Sequence, residues 1–215
     1  VISVRREVFM SAADDDYEFT SDWLTDRLPI WRVHIEPLRG LPLQALELGC
    51  YEGRASVWLL QNVLTDPRAR LTVVDTFEGS AESGTPAVEG LLERFMRNIG
   101  RAGGGSKVRA LRTSTVVGLA QLIVEAAGTP SFDLIYVDAS HRADDVLGDA
   151  VLSFHLLKPG GVLILDDYRW DWFPSELDRP KIAIDAFMQI FERSLEVLEI
   201  GYQVLVRKLS ERRPA

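Results

Sequence analysis

One cysteine, Cys50, is present in 215 residues. A lone thiol excludes an internal disulfide and a cysteine-based zinc cluster, and it suits a reducing cytoplasm, where we expect the protein to reside. Basic residues are also scarce: 24 Lys and Arg stand against 32 Asp and Glu, a formal net charge of −8. That balance repels a nucleic-acid duplex and an anionic membrane surface. A small neutral or cationic substrate suits it better. No apolar run is long enough to span a bilayer, no signal-peptide pattern opens the chain, and no repeat of solenoid length occurs. The opening Val1-Ile2-Ser3-Val4 reads either as a strand or as a cut end.

What is present is ordinary for a globular domain, 47% apolar and 26% charged, with enough length to bury a substantial core. Short apolar runs at Leu43–Leu48, Leu71–Val74, Val108–Leu111, Phe132–Val137 and Val162–Leu165 read as strands buried on both faces. Helix-spaced apolar residues fill the segments between them, at Ala55–Leu64, Leu91–Ile99, Val116–Ala127 and Ala143–Leu157. This alternation predicts an α/β, doubly wound, mostly parallel sheet with helices on both faces. A helix over Lys181–Arg193 follows Pro180, and the tail LEVLEI-GY-QVLVRK reads as an antiparallel hairpin, for seven strands in all. Glu78 to Val88 and Arg101 to Ser106 read as loops.

The first strand runs into Glu47-Leu48-Gly49-Cys50-Tyr51-Glu52-Gly53. Glycines there let the backbone turn sharply beside a ligand, although any strand-to-helix turn uses them too. The spacing E-x-G-x-x-x-G lacks the three-glycine pattern that packs a pyrophosphate, so a ligand with an amino-acid tail suits it better. The second strand ends Val73-Val74-Asp75-Thr76-Phe77. An acid at that tip, roughly twenty residues past the glycine loop, is placed to accept both hydroxyls of a ribose. Phe77 is expected against an adenine or in the pocket wall. After the third strand, Thr113 and Ser114 either reach the adenine edge or cap the next helix.

The fourth strand ends in Asp138 and the fifth in Asp166-Asp167. Neighbouring strands lie about 4.8 Å apart, which brings these carboxylates together at one sheet edge. At an effective dielectric of 20, each such pair costs on the order of 4 kcal/mol. Protonation, a basic partner or a cation would relieve the repulsion, and a hard divalent ion such as Mg²⁺ is the economical remedy. The alternative is that Asp138 caps a helix while Asp166-Asp167 begin a loop. His141 follows in Asp138-Ala139-Ser140-His141, where an imidazole can accept a hydroxyl proton or can orient a loop or an aspartate. His34 and His155 read as structural.

The strings ALELGCYEGRAS, VVDTFEGS and FDLIYVDASHRADDVLGDAVLSFHLLKPGGVLILDDY together resemble class I S-adenosylmethionine-dependent methyltransferases. Within these the chain is most similar to the macrocin-type sugar O-methyltransferases and other small-molecule O-methyltransferases. The resemblance runs well from Leu43 to Tyr168. It implies a Rossmann-like fold whose parallel sheet ends in an antiparallel hairpin, with residues 41–215 as the S-adenosylmethionine-dependent domain. It further implies that Glu47, Gly49 and Gly53 hold the methionine part of S-adenosyl-L-methionine and that Asp75 holds the ribose. Tyr51, Thr76, Phe77, Ser114 and Asp138 are further expected cofactor contacts, placed by their position beside these residues. Mg²⁺ would be ligated by Asp138, Asp166 and Asp167. Catalysis would fall to His141 as base, with Asp138 beside it.

Residues 1–40 match the family only loosely, and Tyr17 to Trp31 reads as a helical lid over the cleft or an interface of a homo-oligomer. The aromatic run Tyr168-Arg169-Trp170-Asp171-Trp172-Phe173-Pro174 can stack a planar substrate or a sugar face, anchor a lid or meet another subunit. The leading expectation is a Mg²⁺-dependent O-methyltransferase acting on a hydroxyl of a small natural product, a sugar among the candidates. The alternatives are N-methylation or metal-dependent hydroxylation on the same fold, and a non-catalytic cofactor-binding relative.

Overall fold

The computed structural model describes residues 16–79 and 89–210. The opening Val1-Ile2-Ser3-Val4 and most of the loop expected at Glu78 to Val88 lie outside these residues. Five parallel strands, β1 (Gln44–Leu48), β2 (Arg70–Asp75), β3 (Val108–Arg112), β4 (Phe132–Val137) and β5 (Leu157–Leu165), are followed by β6 (Leu195–Ile200) and β7 (Val204–Lys208). They form one sheet in the order β3-β2-β1-β4-β5-β7-β6, with β7 antiparallel to both of its neighbours. This is the Rossmann-like, mostly parallel α/β arrangement expected from the sequence.

Alternation along each strand divides the core into two layers. Ala45, Leu71, Val73, Leu134, Val162 and Ile164 face one side, while Leu46, Leu48, Val74, Ile135, Leu163 and Leu165 face the other. Three helices cover the first side: α1 (Leu28–His34), α2 (Arg54–Asn62) and α3 (Leu91–Arg101), through Trp31, Leu59 and Phe95. Three more cover the second: α4 (Thr115–Glu125), α5 (Ala143–Leu156) and α6 (Pro180–Phe191), through Leu119, Phe154 and Phe187. Each fully buried Leu or Phe contributes roughly 1.5–3 kcal/mol. Both faces are therefore covered, which is why the parallel strands read as unbroken apolar runs.

The structure departs from the expected element bounds by more than two residues in two places. Between Tyr17 and Trp31 helix is confined to a 3₁₀ turn at Thr25–Arg27 and to α1. The Asp22 carboxylate accepts hydrogen bonds from Leu24 N and Thr25 N, which holds the preceding chain in a turn. β5 begins at Leu157 rather than Val162, because Leu157 pairs with Phe132 and a register shift carries Lys158-Pro159-Gly160-Gly161 along the ladder. No helix among the described residues is long and apolar enough to cross a membrane.

The strand order reverses between β1 and β4. In an open parallel sheet the crevice beyond the carboxyl ends of the strands at that point receives ligands. Asp138 N donates to Leu48 O at 2.8 Å and Asp166 N to Val137 O at 3.0 Å, so the tips of β1, β4 and β5 stay bonded one residue past the strands.

Candidate active site

Gly49 leaves β1 with φ of 76°, and a Cβ there would lie 2.1 Å from the Asp138 carbonyl oxygen. Only glycine allows the two strand tips to touch. Gly53 is also left-handed, but its missing side chain makes room for the Phe95 ring, 2.8 Å from the position a Cβ would take. The absence of a Cβ there serves helix packing. Phe77 is 4% exposed and packs against Phe95 with ring centroids 5.4 Å apart. Tyr51, Phe77 and Asp167 all adopt positive φ at this edge. Backbone strain of that kind costs about 1–3 kcal/mol per residue and collects at functional sites.

Asp75 closes the loop. Its Oδ2 accepts from Cys50 N at 2.7 Å and Tyr51 N at 2.9 Å, and its Oδ1 accepts from Phe77 N at 2.7 Å. A carboxylate offers about four acceptor positions, so one remains for a ligand hydroxyl. Beneath the loop lies Glu47, only 1% exposed, which accepts from Ser56 Oγ at 2.5 Å. Burial, with the Asp75 charge nearby, pushes its carboxyl up to about 8. At neutral pH this side chain is a neutral acid that a ligand cation would ionise.

At the tips of β4 and β5 the acids are held by donors. Tyr136 Oη is 2.7 Å from Asp138 Oδ2 and 2.5 Å from Asp166 Oδ2. One phenol proton serves one of these contacts; the other needs a proton on an acid. Burial and the mutual repulsion of Asp138, Asp166 and Asp167 push Asp138 and Asp166 upward, in keeping with such sharing. Asp166 also accepts from Gln203 Nε2 at 2.7 Å and from Asp167 N at 2.7 Å, and Gln203 in turn accepts from Trp31 Nε1 at 2.8 Å. Asp167 turns to His141 instead, with Nε2 3.1 Å from its Oδ2. The His141 ring stacks on buried Trp170 at 4.6 Å.

Of the three remedies for crowded carboxylates, the side chains thus use a shared proton and a basic partner. Asp138, Asp166 and Asp167 do not converge as a ligand set, and among the described residues no group of three or more such side chains is arranged to hold a metal ion. As arranged, the donors do not fit Mg²⁺, because Asp166 turns to Tyr136 and Gln203 while Asp167 turns to His141. The expected three-carboxylate centre is not preformed in this arrangement.

A single cavity of about 940 Å³ joins these parts. Its lining includes Glu47, Gly49, Tyr51, Asp75 and Thr76, then Ser114, then Asp138, His141 and Asp167. Ser114 caps α4 by position, yet its hydroxyl makes no capping bond. His34 and His155 lie elsewhere: His34 faces Glu199 at 4.0 Å, and His155 is exposed on the last turn of α5.

The family described as "Methyltransferase domain" matches residues 46–168, more than half of the chain. The chain belongs to this family. No curated protein matches it. Solved structures agree with the methyltransferase fold. The O-methyltransferase TomG from Streptomyces achromogenes, solved with SAM, superposes with a TM-score of 0.63 at 16% identity over 86% of this chain and 80% of its own. An O-methyltransferase from Bacillus cereus, solved with SAH, gives 0.59 at 18% identity over 92% and 86%. The MycE methyltransferase of the mycinamycin pathway, solved with Mg and SAH, gives 0.60 at 15% identity over 88% of this chain but 51% of its own.

Several residues of this methyltransferase domain escape a sequence reading. Tyr136 stands two positions before Asp138, and period-two alternation could have flagged it as sharing a face with Glu47. Gln203, in the final hairpin, carries no such signal. Glu52, 1% exposed, receives Thr20 N at 2.6 Å, Thr20 Oγ1 at 2.8 Å and Arg94 at 2.5 Å. It ties the segment before α1 to the glycine loop and to α3.

Proposed function

We propose that this methyltransferase uses S-adenosylmethionine to methylate a hydroxyl of a small natural product. The observation that carries the reading is the continuity of the cavity, from Glu47 and Asp75 at one end to His141 and Asp167 at the other. The volume is that of a site for a small ligand and its partner. The cofactor lies along the Gly49–Gly53 loop, its ammonium toward Glu47 and a ribose hydroxyl on the spare acceptor of Asp75.

A sulfonium methyl is already activated, so the protein chiefly aligns oxygen, carbon and sulfur. The neutral hydroxyl is the weak partner. His141 takes its proton as transfer proceeds, and Asp167 fixes the ring and stabilises the imidazolium that forms. Trp170 holds the other face of the ring. Magnesium is assigned no step. TomG and the Bacillus cereus protein, both O-methyltransferases, favour oxygen over nitrogen as the acceptor.

The test is calorimetry with S-adenosylmethionine, followed by transfer of a labelled methyl group to a panel of hydroxyl and amine acceptors. Micromolar cofactor binding with label on hydroxyl acceptors is the expected result. Absence of cofactor binding at millimolar concentration would overturn the proposal.

A further inference from the structure

Trp23 and Trp172 are the two exposed aromatic side chains among the described residues, at 57% and 67%, and both line the cavity. An indole left in water forgoes one of the largest apolar burials a side chain can make. Neither belongs to a loose segment. Trp23 stands between Asp22, whose carboxylate accepts from Leu24 N and Thr25 N, and buried Leu24. Trp172 is bracketed by buried Trp170, whose N donates to Asp167 O at 2.9 Å, and by Phe173, whose O accepts from Arg179 Nε at 2.8 Å. The fold itself holds both indoles in the open.

Each ring extends an aromatic contact that begins deeper in the cavity. Trp23 meets Tyr51, on the glycine loop, with centroids 5.4 Å apart. Trp172 meets Trp170 at 5.6 Å with 30° between the planes, and Trp170 meets His141 at 4.6 Å and 25°. The Trp172 ring is thus one neighbour removed from the imidazole, with most of its surface open. Aromatic rings pair with centroids about 4.5–7 Å apart, so a flat ring laid on Trp172 would add one more member to this series close to the base.

Charge and acidity narrow what that ring carries. The guanidinium groups lining the cavity are those of Arg27 and Arg54. Arg54 donates to Ser21 O at 3.0 Å and lies 3.7 Å from Asp22, while Arg27 lies over the Tyr202 ring at 3.7 Å. Acids, Asp26 and Asp167 among them, far outnumber these cations along the same walls, which disfavours a carboxylate or phosphate on the acceptor. A phenol ionises near pH 10, roughly as tyrosine does, and an aliphatic hydroxyl far less readily, so an imidazole base serves a phenol better.

On the methyl-transfer reading above, we infer that Trp172 is the platform that selects the acceptor, a hydroxyl borne by a flat aromatic ring free of anionic groups.

A naphthol, the matching hydroxynaphthoate and a methyl glucoside separate the possibilities. Calorimetry titrates each into the chain saturated with S-adenosylhomocysteine. The naphthol is expected to bind at least about tenfold more tightly than either of the others. Trp172→Ala should weaken the naphthol by about tenfold, and Trp172→Phe by no more than about threefold, since a phenyl ring keeps most of the stack. An S-adenosylhomocysteine Kd equal to that of wild type shows that both variants are folded. A naphthol that binds Trp172→Ala as tightly as wild type, or no more tightly than the glucoside or the naphthoate, overturns the inference alone. No heat with S-adenosylhomocysteine on wild type overturns the cofactor reading and this inference together.

Discussion

Glu47 offers the sharpest test of how burial and ligand charge are coupled. With its carboxyl raised to about 8, the free protein carries a proton there at pH 7 in about 90% of molecules. A cofactor ammonium against the side chain would ionise it, so binding at pH 7 should release about 0.9 proton. Calorimetry in buffers of different ionisation enthalpy reads this number as a slope. Glu47→Gln should bring the slope close to zero and weaken binding. The same shift makes a stability statement. A carboxyl whose folded value exceeds its unfolded value of about 4.5 stabilises fully below that value and loses the contribution as pH rises through 8. The full loss is on the order of 5 kcal/mol, of which about 3 kcal/mol is already gone at pH 7. Ligand-free E47Q should therefore be more stable than wild type at pH 7 to 8, and the advantage should vanish near pH 4. A wild-type slope within about 0.2 of zero, or a ligand-free E47Q that melts below wild type at pH 8, would refute the reasoning.

Three further outcomes follow from the same geometry. His141→Ala should lower kcat by about 10²–10⁴-fold while leaving the cofactor Kd within about threefold, and Asp167→Asn should fall between it and wild type. Loss of cofactor binding in either variant would place them in the wrong half of the cavity. Gly49→Ala should cost about 3 kcal/mol or more, because the added carbon meets the Asp138 carbonyl at 2.1 Å. Gly100→Ala, which meets nothing within 4 Å in α3, should raise stability by up to about 1 kcal/mol, and thermal melts compare the two. Because Asp166 and Asp167 turn to different partners, millimolar Mg²⁺ should shift the melting temperature by less than about 1 °C and EDTA should leave turnover unchanged. A rise of several degrees that disappears in Asp166→Asn would show the acids reorganising around the ion.

Much of the fold is legible in the sequence because each central strand is buried on both faces and stands out as an apolar run. The loop at Gly49, the acid at Asp75 and the acids after β4 and β5 are legible for a related reason: strand ends are where backbone and side chains turn toward the crevice. What local pattern cannot give is direction. Gly53 and Phe77 sit in the right motifs, yet Phe95, from a helix nearly twenty residues beyond Phe77, draws both into the core. Nor does any local pattern announce that Trp31 bonds to Gln203 across 172 positions. Asp138, Asp166 and Asp167 have the composition of a metal centre, and it is Tyr136 and Gln203, contributed by other parts of the chain, that turn them into a proton-sharing cluster.

The placement of β7 between β5 and β6 has a consequence for the order in which the enzyme is built. Gln203, the support of Asp166, is synthesised after every other residue of the acid cluster, whereas Trp31, which steadies Gln203, precedes all of them. A nascent chain that has extruded β1 to β5 holds its glycine loop and its acids but still presents β5 as an open edge. Emergence of the last hairpin both closes that edge and supplies the support of Asp166, so the acid cluster is complete only once β7 has paired.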